Sequence, residues 1–132
     1  MILDTGFLVA LDGDDPDAEE TARELEARDV PLRVPTIVVQ ELYVAVGLGS
    51  ESAKNARKFE SLLENKPVVP LTDQIARRAG VIEGQHIASD TLPELGPADA
   101  VVAATALQLN EAVVTNDVSD FETVESLDVV TP

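Results

Sequence analysis

Short apolar runs alternate along the chain with longer stretches whose apolar positions recur every three to four residues. The short runs are Ile2-Leu3, then residues 32–34, 68–71, 112–115 and 128–131, all read as strands. Between them the helical pattern predicts helices over 5–11, 16–28, 37–47, 50–65, from Thr72 or Asp73 to about His86, and 98–109. Asp15-Pro16 is a strong helix start, a capping carboxylate followed by proline in the first turn. Ser50 is read as the cap of the 50–65 helix, whose inward face is expected to carry Ala53, Ala56, Phe59, Leu62 and Leu63. Residues 89–97 are expected to form a polar loop.

Strands alternating with helices predict an α/β fold with a mainly parallel sheet, and β-branched runs suit strands covered on both faces. At 132 residues the chain is expected to form one domain, residues 1–132. In such sheets ligands bind beyond the carboxyl ends of the strands. The positions to inspect are therefore Asp4, the residues after Val34, those after Leu71, and Asn116-Asp117.

Composition removes several chemistries. There is no cysteine and one histidine, His86, so thiolate catalysis and Cys- or His-cluster metal sites are excluded. No apolar run approaches the ~20 residues of a membrane span, and the start lacks the pattern of a signal peptide, so a cytoplasmic protein is expected. Charge changes the picture more. Twenty-five Asp and Glu against nine Lys and Arg give a net charge of −16. With 45% apolar residues this is no acidic disordered chain. It reads as a surface adapted to molar salt, where the Debye length falls to about 3 Å; an acidic face for a basic partner is the other reading.

Four acids fall where chemistry is expected. Asp4 closes the first strand, where helix capping alone would explain it. Glu41 sits among Ile37, Val38, Val44 and Ala45 at helical spacing, which places a carboxylate on an apolar stripe; either it lies at the edge and reaches water, or, the reading favoured here, a cation offsets its desolvation. Asp99 opens a helix rich in Ala and Val, where the helix dipole favours an acid. Asp117 follows the fourth strand, in a sequence that ordinary turn chemistry also allows. The helix after Asp99 descends roughly 16 Å, and the following strand with its flanks climbs back a similar distance at about 3.3 Å per residue. Asp99, Asp117 and Asp4 therefore share one edge, and Glu41 points back toward it. Carboxylates gathered there repel unless a cation binds, and hard Mg2+ or Mn2+ suits such donors. Metal-assisted phosphodiester hydrolysis is the matching chemistry.

The chain resembles the PIN-domain ribonucleases, in particular the small VapC-like toxins of toxin–antitoxin pairs. The resemblance rests on Ile2-Leu3-Asp4-Thr5, on Val39-Gln40-Glu41-Leu42, on the run from Ala98 through Asp99 to Ala106, and on Val113-Val114-Thr115-Asn116-Asp117 followed by Asp120-Phe121. It implies a three-layer α/β/α sandwich around a mainly parallel five-stranded sheet. It implies Asp4, Glu41, Asp99 and Asp117 as catalytic and Mg2+- or Mn2+-binding residues, with Thr5, Thr115, Asn116 and Asp120 in support. It also implies an RNA substrate, a homodimer, and an antitoxin with a basic segment that fills the acidic groove. The apolar surface of the 37–46 segment and the helix after it agrees with a dimer. The acidic balance departs from a ribonuclease's usual basic RNA path. Arg33, Arg57, Lys58, Arg77 and Arg78 are the candidates for one, and surface solubility explains them more simply.

Two phosphoryl-handling classes fail on residues. A receiver domain needs a second acid beside the first and a late lysine, but Thr5 follows Asp4 and no lysine follows Lys66. An Asp-x-Asp-x-Thr phosphatase fails because Gly6 occupies the second acid position. A PIN-like RNA- or protein-binding module with weak or no nuclease activity is the remaining alternative.

Overall fold

A computed structural model describes residues 1–132. Five two-residue strands are present: β1 (Ile2–Leu3), β2 (Val34–Pro35), β3 (Val68–Val69), β4 (Val113–Val114) and β5 (Val129–Val130). Six helices connect them: α1 (Thr5–Asp12), α2 (Pro16–Ala27), α3 (Thr36–Leu48), α4 (Ser52–Leu63), α5 (Asp73–Ala88) and α6 (Pro97–Leu109). β1 fills its apolar run and β4 and β5 occupy the centres of theirs, whereas β3 takes only the first half of 68–71 and β2 lies at the end of 32–34 and extends to Pro35.

All pairings are parallel. β1 pairs with β4 through Ile2–Val113 and Leu3–Val114, and β4 pairs with β5. β2 pairs with β3 through Val34–Val68 and Pro35–Val69. The two groups meet at a bridge between Ile2 and Arg33, where Leu3 N donates to Arg33 O and Arg33 N to Met1 O, each at 2.9 Å. The sheet order is thus β3-β2-β1-β4-β5. Right-handed crossovers then put α1 to α4 on one face and α5 and α6 on the other. The chain moves outward from β1 to β3 and returns to β4 beside β1. That reversal opens a crevice at the carboxyl ends of β1 and β4.

The core lies between these layers. Ile2, Leu3, Val113 and Val114 are fully buried, as expected for strands covered on both sides. Phe7 and Leu8 seal α1 from one face. Ala100, Val102, Ala103, Ala104 and Ala106 seal α6, where small side chains allow a close approach to the sheet. The expected face of α2 is correct, with Ala18, Ala22 and Leu25 buried. Asp15 caps it by accepting from Asp17 N and Ala18 N. Thr72, rather than Asp73, caps α5 through Ile75 N.

The α3–α4 turn differs from the reading. Glu51 holds the N-cap position of α4, and Ser50 does not cap it. Ser52 instead turns its hydroxyl back onto Val46 O and Gly49 O, tying the two helices together. Gly49 is required there, because a Cβ would stand 2.9 Å from Ala45 O. Ala53 is exposed, since this end of α4 reaches past the core, and Phe59 is the one buried residue on that helix. Phe59 packs on Tyr43 of α3 with ring centroids 5.9 Å apart. The α3–α4 pairing covers much of the apolar surface expected to be free, leaving Val44 and Leu48 exposed on α3. His86 is a core residue of α5, with Nδ1 on Ile82 O at 2.9 Å and Nε2 facing Thr123 Oγ1 at 3.3 Å. No helix is long and apolar enough to cross a membrane.

Candidate active site

Asp4 is the first residue beyond β1, at the crevice. It caps α1 by accepting from Phe7 N with Oδ1 at 2.8 Å. The capping role therefore holds, but it uses one carboxylate oxygen only. Oδ2 accepts a short hydrogen bond from Thr115 Oγ1, at the end of β4. Thr115 is fully buried, and its hydroxyl oxygen in turn accepts from Asp117 N at 2.9 Å. One threonine thus binds the ends of the two adjacent strands together, with a carboxylate on each side of it. Burial raises the pKa of Asp4. The Thr115 and Phe7 hydrogen bonds oppose that rise, and the charges of Asp117 and Glu41 add to it.

Asp99 lies in the first turn of α6, after Pro97. A helix N-terminus alone would lower its pKa. It is instead pushed up to about 6, first by desolvation and then by Asp120, Glu41, Asp4 and Asp117. Desolvation, with the crowding of acids added to it, outweighs the dipole here. Asp120 ends a short 3-10 turn (Val118–Asp120) and is also shifted upward, by burial, by a side-chain hydrogen bond with Asp117, and by the charges of Asp117 and Asp4.

Glu41 reaches the same edge from α3, but not by the expected route. Its side chain is exposed rather than buried in an apolar stripe, because α3 turns that side outward at the crevice. The desolvation expected for it is absent. Its placement comes from Thr5, the first residue of α1, whose hydroxyl donates to Glu41 Oε1 at 2.6 Å. Asp117 is exposed as well, and Asn116 beside it is exposed and makes no side-chain hydrogen bond. Sequence reasoning missed Ser119, which donates to Asp117 Oδ1 at 2.8 Å. A serine two residues beyond an aspartate in a turn is the signal that could have found it.

The structure brings Asp4, Glu41, Asp99, Asp117 and Asp120 into one electrostatic cluster. None of them takes part in an ion pair: the salt bridges join Glu111, Asp12 and Asp73 to cations elsewhere. Arg33, Lys58 and Arg77, named above as possible RNA contacts, are the cations in three of these pairs. No group of three acids stands in metal-ligating geometry, and Asp4, Glu41 and Asp117 each accept a hydrogen bond from a hydroxyl of the chain, Thr115, Thr5 and Ser119 in turn. The chemistry of the donor set nonetheless fits a hard divalent cation: all-oxygen carboxylate donors, mutually repelling, with no Lys or Arg among them.

The sheet is parallel, and its acidic crevice lies at the reversal point of the strand order, where open α/β sheets take their ligands. The PIN domain family model matches residues 1–126, and the chain belongs to the PIN domain family. The family is one of nucleases. The fold is similar to that of VapBC2 from Rickettsia felis bound to a DNA fragment from their promoter, with a TM-score of 0.87 at 21% identity over 99% of this chain and 97% of that one. DNA-bound VapBC from Salmonella typhimurium gives 0.86 at 22% identity, covering 98% and 96%. VapBC-1 from nontypeable Haemophilus influenzae gives 0.79 at 22%, also covering 98% and 96%. No curated protein matches the chain significantly in sequence.

Proposed function

We propose that this protein is a Mg2+- or Mn2+-dependent endoribonuclease and the toxin of a VapBC-like pair, with residues 1–132 forming one PIN domain. The carrying observation is the set of five acids at the β1–β4 crevice, which have no cationic partner; burial first, and then the charge of neighbouring acids, raises the pKa of Asp4, Asp99 and Asp120 among them. Asp4, Glu41, Asp99 and Asp117 are the residues that would hold the ion. A divalent ion there supplies an activated water and charge stabilisation for the leaving oxygen. The chain's own groups set the stage. Thr115 holds Asp4 and the Asp117 backbone in register, and Thr5 holds Glu41 over the crevice. Asp120 completes the negative rim beside Asp117, with Asn116 at its outer edge.

The toxin assignment is supported by the VapBC complexes whose toxins share this fold. An antitoxin would inhibit by placing a basic side chain among the four acids, and arginine suits this because its planar fork binds carboxylates bidentately. Exposed Val44 and Leu48 on α3 support a homodimer. The net charge of −16 supports a cytoplasm of high salt. The test is cleavage of a labelled oligoribonucleotide at molar KCl with and without Mn2+. Metal-dependent cleavage by wild type, reduced more than ~10²-fold in Asp4→Asn, Glu41→Gln and Asp99→Asn, is expected. Full cleavage by Asp99→Asn with unchanged metal affinity would sink the site.

A further inference from the structure

An acidic rim accounts for the chemistry but not for how so acidic a protein holds a polyanion. Cations are scarce, and several are committed locally. Arg33 pairs with Glu111, Arg77 pairs with Asp73, and Lys66 Nζ donates to Leu62 O at the end of α4. Three of the remaining cations, Lys54, Arg57 and Lys58, fall within one turn and a half of α4. Their spacing of three and four residues puts them on one face. That face and the end of α1 enclose an open cleft of about 490 Å³, lined by Asp12, Asp14, Lys54, Arg57, Lys58 and Ser61 among others. Lys58 Nζ reaches Asp12 Oδ2 at 3.0 Å and fixes one wall. Lys54 and Arg57 form no ion pair. Three cations against two carboxylates give the cleft lining a net positive count on a strongly negative chain, with Glu60 and Glu64 on the far side of Arg57.

The cleft is connected to the acid rim by one short helix. α1 begins at Thr5, directly after Asp4 and in contact with Glu41, and ends at Asp12 in the cleft wall. Its eight residues span about 12 Å. We infer that the α1–α4 cleft holds the phosphate backbone of the RNA substrate, so that a strand cut at the rim runs on along α1 to Lys54 and Arg57. This rests on the nuclease reading above. The Arg57 guanidinium suits two phosphate oxygens at once, Lys54 supplies a mobile point charge, and the Ser61 hydroxyl adds a neutral donor. Neither cation has to break an ion pair to bind. Asp12 and Asp14 limit the cleft's pull on small anions, so a chain of phosphates is favoured over a single one.

Single-stranded RNA binding weakens with salt by a log–log slope of about −0.7 for each phosphate neutralised. The test measures the Kd of a fluorescent oligoribonucleotide across a KCl series, in the full chain carrying Asp99→Asn to suppress cleavage. Lys54→Gln/Arg57→Gln should flatten the slope by about 1.4 and weaken binding roughly tenfold or more at the lowest salt. Arg23→Gln/Arg28→Gln, the same charge change on α2, should leave the slope in place. Lys54→Arg/Arg57→Lys should keep it too, and equal thermal midpoints show that every variant is folded. An unchanged slope in the Gln/Gln variant, alongside Mn2+-dependent cleavage by the wild-type chain, overturns the cleft and spares the nuclease reading. Failure of the wild-type chain to cleave RNA overturns the nuclease reading itself. Loss of poly-glutamate binding in the Gln/Gln variant with RNA binding intact would assign the cleft to an acidic protein and overturn the inference.

Discussion

Replacing Asp99 by Asn should stabilise the metal-free protein, and by an amount that depends on pH. The Asp99 carboxyl titrates near 6 in the fold against an ordinary value of 3.8, because burial and four neighbouring acids oppose its charge. At 1.36 kcal/mol per pKa unit that shift corresponds to about 3 kcal/mol. The side chain is only half-buried, so solvent screening reduces this to about 1–1.5 kcal/mol. The sign follows from proton counting. Between pH 4 and 6 the unfolded chain has released this proton while the folded chain keeps it, so wild-type stability falls as pH rises through that window. Asn carries no charge at any pH. The difference between Asp99→Asn and wild type should therefore be small near pH 4, grow to pH 6, and level off above it. For 132 residues, with an unfolding entropy of about 2.1 cal/mol/K per residue, the plateau amounts to about 4–5 °C in Tm. The assay is thermal unfolding in EDTA at fixed KCl from pH 4 to 8. A variant less stable than wild type at pH 8, or a difference independent of pH, refutes a repelling cluster around Asp99.

Mn2+ should reverse that ranking: about 2.7 kcal/mol of stabilisation is expected for wild type at a hundredfold excess over Kd, and much less for Asp99→Asn, again by thermal unfolding. Thr115→Val should cost about 1–3 kcal/mol, since buried Asp4 Oδ2 loses its donor, and Thr115→Ser should recover most of that loss in denaturant titrations. Val44→Glu/Leu48→Glu should convert a dimer to a monomer in light scattering at molar KCl; an unchanged mass places any dimer contact elsewhere on the surface. Excess Mn2+ should compete with an antitoxin's basic residue, and replacing that residue should restore cleavage with less loss of affinity than replacing its apolar neighbours.

Much of this architecture is legible in the residues, for identifiable reasons. Strand positions show because parallel strands covered on both faces need unbroken apolar runs, and Ile2-Leu3 and Val113-Val114 supply them. Asp4, Asp99 and Asp117 show because in a parallel fold strand ends and helix starts share one edge. Of the two readings of Glu41, the structure shows the edge position in water: the side chain is exposed and is placed by the Thr5 hydroxyl rather than stranded in an apolar stripe. A contact between residues 36 positions apart leaves no periodic trace in the sequence. The α3–α4 turn was misread for a related reason. Ser50 and Ser52 are equally good caps by residue type, and only the fold decides that Ser52 bonds backward to Val46 and Gly49. The α1–α4 cleft needed the structure as well, since Arg57 and Lys58 read as a solvated charge pair until α1 is placed beside them.

The most direct test of the central claim follows Mn2+ occupancy and RNA cleavage in one titration, reading bound Mn2+ by electron paramagnetic resonance and cleavage by gel from the same samples. The account predicts that cleavage rises in step with occupancy in the wild-type chain, and that Asp4→Asn/Asp99→Asn loses both while remaining folded. Cleavage at full rate with no bound metal, or tight Mn2+ binding undiminished in the double variant, would contradict it.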